Sequence, residues 1–169
     1  MELVDLYTED RSPLGRTAER REKNVPGEYR IVIHVCIFNR RGQLLIQQRA
    51  SQKAVWPELW DVSVGGGVEA GETSRHAAER ETLEELGLSL DLSGQRPVVT
   101  VNFDGGFDDF YIVTQDFDTS CLTLQPEEVR QVRWVTLEEI LSMEEEGGLL
   151  PYPRSFLCFL FEMRNRFGF

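Results

Sequence analysis

Several residue types are scarce in this chain of 169 residues, and each scarcity argues against a class of protein. Its three cysteines, Cys36, Cys121 and Cys158, are too few and too widely spaced to indicate a disulfide framework or a cysteine zinc site. Two histidines are also too few for a histidine-rich metal site. Because the cysteines stand in apolar strings, we expect buried, reduced thiols of a cytosolic protein.

Basic residues are outnumbered: 18 lysines and arginines stand against 29 aspartates and glutamates, for a formal net charge of −11. Unaided binding to nucleic acid or to an anionic membrane surface requires a basic patch, so neither partner is expected. No apolar run approaches the roughly 20 residues of a membrane-spanning helix. The opening MELVDLYTED lacks a basic segment before an apolar core, so we predict a cytoplasmic protein without a secretory signal.

What is present indicates one folded domain, since 41% of the residues are hydrophobic. YRIVIHVCIF and QLLIQQR are rich in strand formers, and the NRRG between them predicts a hairpin. A helix is predicted from about Thr73 to Leu86, with Thr73 or Ser74 as its cap and Gly87 at a left-handed stop. Strands, a central helix, more strands and then helices predict an α/β domain with a mixed sheet.

The two ends and the second half of the chain complete this prediction. ELVDLY is expected to be a short strand, followed by a polar arm whose prolines and glycines indicate a loop; the boundary is placed between residues 1–28 and 29–169. In the second half, GGFDD is predicted as the loop of another hairpin. Its residues Asp104, Asp108 and Asp109 are interpreted as a solvated tip, with an approach to the substrate as the alternative. A strand VRQVRWV, a helix capped by Thr136 and a closing apolar helix follow.

The predicted central helix carries an unusual concentration of acid. At 100° per residue, Glu81, Glu84 and Glu85 converge on one patch, while Ala78 and Thr82 face another side. Like charges at such spacing repel by a few tenths of a kcal/mol, so the face is either simply solvated or arranged around a cation. Mg²⁺ favours carboxylate oxygens and retains waters that it shares with substrate phosphates.

The residues around the patch favour the cation. From Gly66 the chain reads G-x5-E-x7-R-E-x-x-E-E-x-G-x. Its specified positions are Gly66, Glu72, Arg80, Glu81, Glu84, Glu85 and Gly87. This pattern resembles the Nudix box, the signature of the Nudix hydrolase family. One position departs from it: Thr82 stands where the family usually has an aliphatic residue, and we interpret it as a packing variation.

The resemblance implies a Nudix fold, with a mixed β-sheet sandwiched between helices (α/β/α). It also implies a loop–helix–loop that holds Mg²⁺, for which Mn²⁺ can substitute, against a diphosphate. Glu81 and Glu85 would be metal ligands, with Glu84 a third, and Arg80 would hold the glutamates in place by pairing with Glu72. The base that deprotonates the attacking water varies in this family; Glu84, Glu81 and Glu128 are all candidates.

A second resemblance lies upstream, where LLIQQRASQKAVWPELWDVSVGGG is similar to isopentenyl diphosphate isomerases, which share the Nudix fold. It implies that Arg49 and Lys53 contact a diphosphate, with Gly66 and Gly67 beside the bound substrate. The isomerase chemistry is missing, however. Gly65 stands where the isomerase has its catalytic cysteine, and Gly67 where it has a metal-binding histidine.

Other residues have two interpretations each. PEEVRQVRWVTLEEI resembles the segment that supplies a further acidic metal ligand in this branch; Glu128 matches best and Glu127 is the alternative, against an ordinary surface carboxylate. Trp60 is predicted to be core, while Trp56 is either core or a stacking surface. His34 is predicted to be a core or pocket-wall residue, and His76 is predicted to be exposed.

The sequence therefore predicts Mg²⁺-dependent hydrolysis of a diphosphate linkage in a small molecule, such as a nucleoside diphosphate linked to another moiety, by water attack on phosphorus. Arg80, Glu81 and Glu84 are the predicted catalytic residues. The alternatives are an isopentenyl diphosphate isomerase-like enzyme and a non-catalytic ligand-binding module of the same fold. The expected partner is a small diphosphate, and the ELVDLY arm resembles an element through which relatives form homodimers.

Overall fold

The computed structural model describes residues 2–23 and 25–166. The strands within these ranges are β1 Leu3–Tyr7, β2 Pro13–Glu19, β3 Arg30–Phe38, β4 Leu44–Arg49, β5 Trp60–Val62, β6 Val64–Gly67, β7 Val99–Phe103, β8 Gly106–Thr114 and β9 Val129–Val135. The α-helices are α1 Ser74–Leu86, α2 Leu137–Glu145 and α3 Arg154–Met163. None of the helices in the described ranges is long and apolar enough to cross a membrane.

The main sheet is mixed, and it divides into two branches. Strands β3 and β8 run parallel over their whole length, and β7 pairs antiparallel with β8. Strands β3 and β4 pair only where Phe38 meets Leu44; beyond that point β6 pairs with β3, while β5 and β9 pair with β4. The consecutive strands β5 and β6 therefore belong to different branches, and a cleft opens between them.

Ser63 lies between β5 and β6 and joins the two branches at the point where they part. Its hydroxyl donates to the carbonyl oxygen of Leu45 at 2.6 Å and accepts from the amide of Ile37 at 2.8 Å. Ser63 is fully buried. The division of the sheet is therefore fixed by hydrogen bonds as well as by strand pairing.

Helices cover both faces of the sheet, as the α/β/α expectation requires. On one face Ile33, Val35 and Ile37 of β3 pack with Ala78 and other residues of α1. On the opposite face the alternate β3 residues join the apolar residues of α2 and α3, among them Ile140, Leu157 and Leu160. The alternation along β3 thus separates two core clusters, as period-2 side-chain geometry dictates.

The details of α1 follow the sequence prediction. Thr73 is its N-cap and accepts a hydrogen bond from the amide of His76, and Gly87 ends the helix with φ of 66°. Thr82 is fully buried and donates to the Ala78 carbonyl oxygen at 2.7 Å, which satisfies its hydroxyl within the core. The expected capping of α2 by Thr136 is also present, as a full capping box with Glu139.

Three expectations were wrong. The polar arm contains a strand, β2, which pairs with β1; its side chains are mostly exposed, so its composition resembled a loop. Asp108 and Asp109 lie within β8 rather than at a solvated hairpin tip, because the turn occurs earlier, before Gly106. Cys36 is buried as predicted, but Cys121 is exposed and Cys158 is only partly buried; all three are free thiols.

Candidate active site

Helix α1 spans the cleft and brings two glutamates into it. The Glu81 carboxyl group lies against the backbone of Gly66 in β6, so closely that a Cβ atom at position 66 would collide with it. Glu85 accepts a hydrogen bond at 3.0 Å from Gln47 of β4, the other branch. Glu81 is 7% exposed and Glu85 is 5% exposed. The helix therefore places one buried carboxylate on each branch.

These two carboxylates are poorly neutralised by the protein. Burial and the charge of Glu81 raise the pKa of Glu85 to about 8, although the Gln47 hydrogen bond acts in the opposite direction. Burial also raises the pKa of Glu81, and the guanidinium of Arg80 only partly offsets it. A pair of buried carboxylates that the chain only partly neutralises suits a hard divalent cation.

Arg80 connects the start of the motif to its helix. Its guanidinium donates to both carboxylate oxygens of Glu72 at 3.0 and 3.1 Å and to the Gly67 carbonyl oxygen at 3.0 Å. It also pairs with Glu81 at 3.0 Å and Glu84 at 3.1 Å. The contact between Arg80 and Glu72 expected from the sequence is therefore present, and it fixes the loop before α1 against the helix.

The third glutamate of the helix has a different environment. Glu84 keeps 51% of its side chain exposed and contacts Arg80 rather than the sheet. Within the described ranges, no three histidine, cysteine, aspartate or glutamate side chains are arranged as a ready metal cage. Glu81 and Glu85 thus form a two-carboxylate set, which fits Mg²⁺ because this ion takes few protein ligands and completes its shell with water and substrate oxygens.

Glu128 and Lys53 lie on the side of Glu85. They form an ion pair with each other, and the charges of both affect the pKa of Glu85, Glu128 raising it and Lys53 lowering it. Arg49 lies further along the cleft, 3.6 Å from the carboxylate of Asp61, and donates to the Val55 carbonyl oxygen at 3.0 Å. Each predicted diphosphate contact therefore has an internal partner, Glu128 for Lys53 and Asp61 for Arg49.

Sequence reasoning predicted His34 as a core or pocket-wall residue but missed its partners in the opposite wall, which lies on the α3 side of β6. His34 of β3 faces Gly65 there, so that a Cβ atom at position 65 would be 2.9 Å from its ring atoms Cδ2 and Nε2. His34 Nδ1 is 2.7 Å from Asp108 Oδ1. Next to it, the Tyr152 hydroxyl donates to buried Asp61 at 2.6 Å. Alternation within the predicted strand YRIVIHVCIF was the available signal that His34 and Cys36 share a face.

The N-terminal arm supplies a further cation that the sequence did not indicate. A Cβ atom at Gly67 would lie 3.1 Å from Nε of Arg20, and the charge of Arg20 lowers the pKa of Glu81 against the effect of burial. The Arg30 guanidinium holds this part of the arm through the carbonyl oxygens of Arg20 and Glu22, at 2.6 and 2.9 Å. Gly67 therefore leaves room for a basic side chain at the mouth of the cleft.

The two tryptophans and the second histidine are peripheral to this site. Trp56 is half exposed with φ of 53°, so it is not core. Trp60 packs against the α2 and α3 cluster and carries the guanidinium of Arg133 4.9 Å from its ring centroid. His76 is exposed on α1, as predicted.

A separate open cavity of about 580 Å³ lies beside the first turn of α1, lined by Arg11, Arg75, Arg96, Asp109 and Tyr111 among others. Its lining includes none of the α1 glutamates. The chemistry of the buried carboxylates, rather than the size of this cavity, locates the candidate site.

Comparisons with known proteins agree with the geometry. The NUDIX domain family model matches residues 28–157. An uncharacterised Nudix hydrolase of Listeria monocytogenes is 50% identical over 165 residues, which are 98% of this chain and 96% of that protein. An isopentenyl-diphosphate Delta-isomerase of Pectobacterium atrosepticum is 33% identical over 147 residues, 81% of this chain and 78% of its own. The crystal structure of a Deinococcus radiodurans protein superposes with a TM-score of 0.76 at 26% identity, covering 98% of this chain and 100% of that one.

Proposed function

Because the chain belongs to the Nudix hydrolase family, we propose that it hydrolyses a diphosphate linkage in a small molecule by attack of water on phosphorus. The observation that carries this proposal is the pair of buried, poorly neutralised carboxylates, Glu81 and Glu85, at the division of the sheet. Mg²⁺ or Mn²⁺ held by these two, with Glu84 or Glu128 as a further ligand, would neutralise the diphosphate and activate the water.

Residues of the chain itself would position the carboxylates for the reaction. Gly66 admits the Glu81 carboxyl group to the cleft, and Arg80 holds Glu81, Glu84 and the loop of Glu72 in one arrangement. The group that takes the proton from the attacking water must contact solvent. Glu84 is the half-exposed member of the three helix carboxylates, so we assign it this role.

Basic side chains would meet the charge of the substrate. Lys53 pairs with Glu128 and Arg49 with Asp61, and Arg20 approaches Gly67 from the arm. In a chain of net charge −11, these local cations provide the neutralised entrance that an anionic diphosphate requires.

Isomerisation has less support than hydrolysis. It would need a thiolate where Gly65 stands, and the His34 ring occupies the space into which any side chain at that position would project. Incubation with isopentenyl diphosphate separates the two reactions, since an isomerase moves the carbon–carbon double bond while a hydrolase releases phosphate. A non-catalytic binding module is disfavoured because every glutamate of the motif is retained.

The test is turnover of a diphosphate panel with Mg²⁺ or Mn²⁺, comprising nucleoside triphosphates, ADP-ribose, dinucleotide cofactors, CoA derivatives and prenyl diphosphates. On the best substrate, Glu85→Gln should lower kcat by about 10²- to 10³-fold, because a charge-stabilising group at the reacting diphosphate is removed. Glu138→Gln is the matched control, since Glu138 is exposed on α2 and should leave turnover unchanged. Wild-type turnover by Glu85→Gln would refute the assignment.

A further inference from the structure

The wall of the cleft opposite the carboxylates of α1 contains an oriented histidine. The His34 ring stacks on Phe110 with centroids 4.8 Å apart and an interplanar angle of 14°. The ring of Tyr152 meets it edge-on, at 6.3 Å and 86°. With Asp108 bound to Nδ1, the ring plane and the direction of Nε2 are both fixed.

The remaining nitrogen of this ring is available. In residues 2–23 and 25–166, Nε2 of His34 has no hydrogen-bond partner, and the side chain retains 16% exposure. The atom lies over Gly65, where the absence of a side chain leaves the ring uncovered. A histidine kept only for packing would have both nitrogens satisfied or shielded.

The same wall is polar beyond His34. Buried Asp61 accepts from Tyr152 and faces Arg49, and Nε of Arg30 is a buried donor without a partner in the described part of the chain. Arg30 and His34 lie on the same face of β3, four residues apart. A hydrocarbon group pressed against the His34 ring would leave Nε2 without a hydrogen-bond partner.

The wall and the carboxylates belong to one cleft. Burial lowers the pKa of His34, but the hydrogen bond and charge of Asp108 outweigh it, and the charges of Asp61 and Glu85 contribute to the net rise. Geometry joins the two sides as well: Gly65, against which the His34 ring lies, and Gly66, against which the Glu81 carboxyl group lies, are consecutive residues of β6. A group attached to a diphosphate at these carboxylates would therefore lie close to His34.

We propose that His34 is a specificity-determining residue, oriented by Asp108, whose Nε2 forms a hydrogen bond with an oxygen on the group attached to the substrate diphosphate. This inference rests on the proposed function. As an imidazolium, Nε2 donates to a phosphate or hydroxyl oxygen, and as a neutral ring it accepts from a hydroxyl. In both states the cleft favours a diphosphate whose attached group bears hydroxyls, such as a sugar, over one that bears a hydrocarbon chain.

The kinetic test compares two substrate sets in His34→Leu, His34→Gln and the control His76→Gln. ADP-ribose and UDP-glucose form the polar set; isopentenyl and geranyl diphosphate form the hydrocarbon set. His34→Leu should lower kcat/KM for the polar set by about 10- to 100-fold, mainly through KM, without lowering it for the hydrocarbon set. His34→Gln should recover part of the loss, because its amide still offers a hydrogen bond.

Asp108→Asn tests the positioning role of Asp108. It should reproduce part of the selectivity change of His34→Leu, since an amide in place of the carboxylate no longer fixes the imidazole in the same way. Equal loss on both substrate sets in the His34 variants would mean a structural role and overturn the inference. A wild-type preference for the hydrocarbon set would also overturn it.

A binding measurement keeps this inference separate from the proposed function. The chain has two histidines, so the imidazole NMR signals of His34 are assigned by their persistence in His76→Gln. The non-hydrolysable α,β-methylene ADP-ribose should shift the His34 signals more than methylene diphosphate does. If the extra shift is seen but no diphosphate is turned over, hydrolysis is refuted while the contact between His34 and the attached group is supported. If the extra shift is absent, that contact is refuted even when the protein is an active hydrolase.

Discussion

Two carboxylates in this fold are almost equally buried, and their surroundings are opposite. Asp109, on the α1 side of β8, is fully buried; Arg11 donates to both of its oxygens, and Thr100 donates at 2.6 Å. Burial would raise the pKa of Asp109, but these hydrogen bonds prevail and lower it. Within the residues that the structure describes, the Glu85 side chain has one hydrogen bond, from Gln47, and its pKa rises to about 8.

The contrast distinguishes a structural from a functional buried charge. The Arg11–Asp109 pair attaches the N-terminal arm to the sheet, so its charges cancel within the chain. Around Glu85 the nearest carboxylates raise the pKa instead, and Lys53 is shared with Glu128. Burial is thus a poor guide to function by itself; the informative property is whether the protein supplies the countercharge.

The largest effect on stability should come from breaking the ion pair between Arg11 and Asp109. Arg11→Ala leaves Asp109 buried without its cation and should lower the free energy of unfolding by about 2–4 kcal/mol, less than for a fully buried pair because Arg11 is 35% exposed. For a chain of this size, that corresponds to a fall of about 5–15 °C in Tm by calorimetry. Arg130→Ala, which breaks the exposed pair with Glu58, is the control and should change Tm little.

In metal-free protein, Glu85→Gln should raise the free energy of unfolding, the opposite of the effect of Arg11→Ala. The folded pKa of about 8 lies above the ordinary value of 4.5, so ionising Glu85 destabilises the fold progressively from about pH 4.5 and fully above pH 8. The neutral amide removes this cost and should stabilise the protein by about 1–3 kcal/mol at pH 8.5 and by nearly nothing at pH 4. A lower Tm than wild type at pH 8.5, measured with a chelator present, would contradict the assigned environment.

Cation binding should release a proton. At pH 7 the Glu85 carboxyl group is mostly protonated in metal-free protein, since its pKa is about 8, and a cation at the site requires the ionised form. Titration calorimetry with Mn²⁺ in two buffers of different ionisation enthalpy should therefore give release of up to about one proton at pH 7 and much less at pH 9. Glu85→Gln should release none through this group, and equal release by that variant would disprove the origin of the proton.

The smallest stability effect is expected at Glu84. Its half-exposed pair with Arg80 contributes at most about 0.5 kcal/mol, so Glu84→Gln should leave Tm almost unchanged while it lowers kcat. Stability and turnover would thus separate within one helix: Glu85→Gln gains stability, Glu84→Gln keeps it, and both lose activity. A large Tm change for Glu84→Gln would instead mean that Glu84, like Glu85, lacks a sufficient countercharge in the protein.

Local signals in the sequence were sufficient for the helix and its motif. The capping by Thr73, the stop at Gly87 and the inward face of Thr82 depend on residues within a few positions of each other, and all three predictions were confirmed. Strand β2 was missed because its partner, rather than its composition, makes it a strand.

The opposite wall could not be predicted in the same way. His34 meets Asp108 across 74 positions, and Tyr152 meets Asp61 across 91. Such pairs form only when β3, β8 and the segment before α3 come together, and no periodicity in a short window records them. Asp109 was misplaced at a solvated tip for the same reason, since its partner Arg11 lies 98 positions away.

One consequence of the Ser63 hydroxyl concerns the tuning of this enzyme by evolution. The hydroxyl marks where β3 and β4 separate, between the branch of Gln47 and Glu85 and the branch that bears His34. Loss of its two hydrogen bonds should change the spacing of the two branches of the sheet without altering the predicted site residues. The width of the cleft, and with it the size of the group that fits there, should therefore depend on a buried serine outside the predicted site.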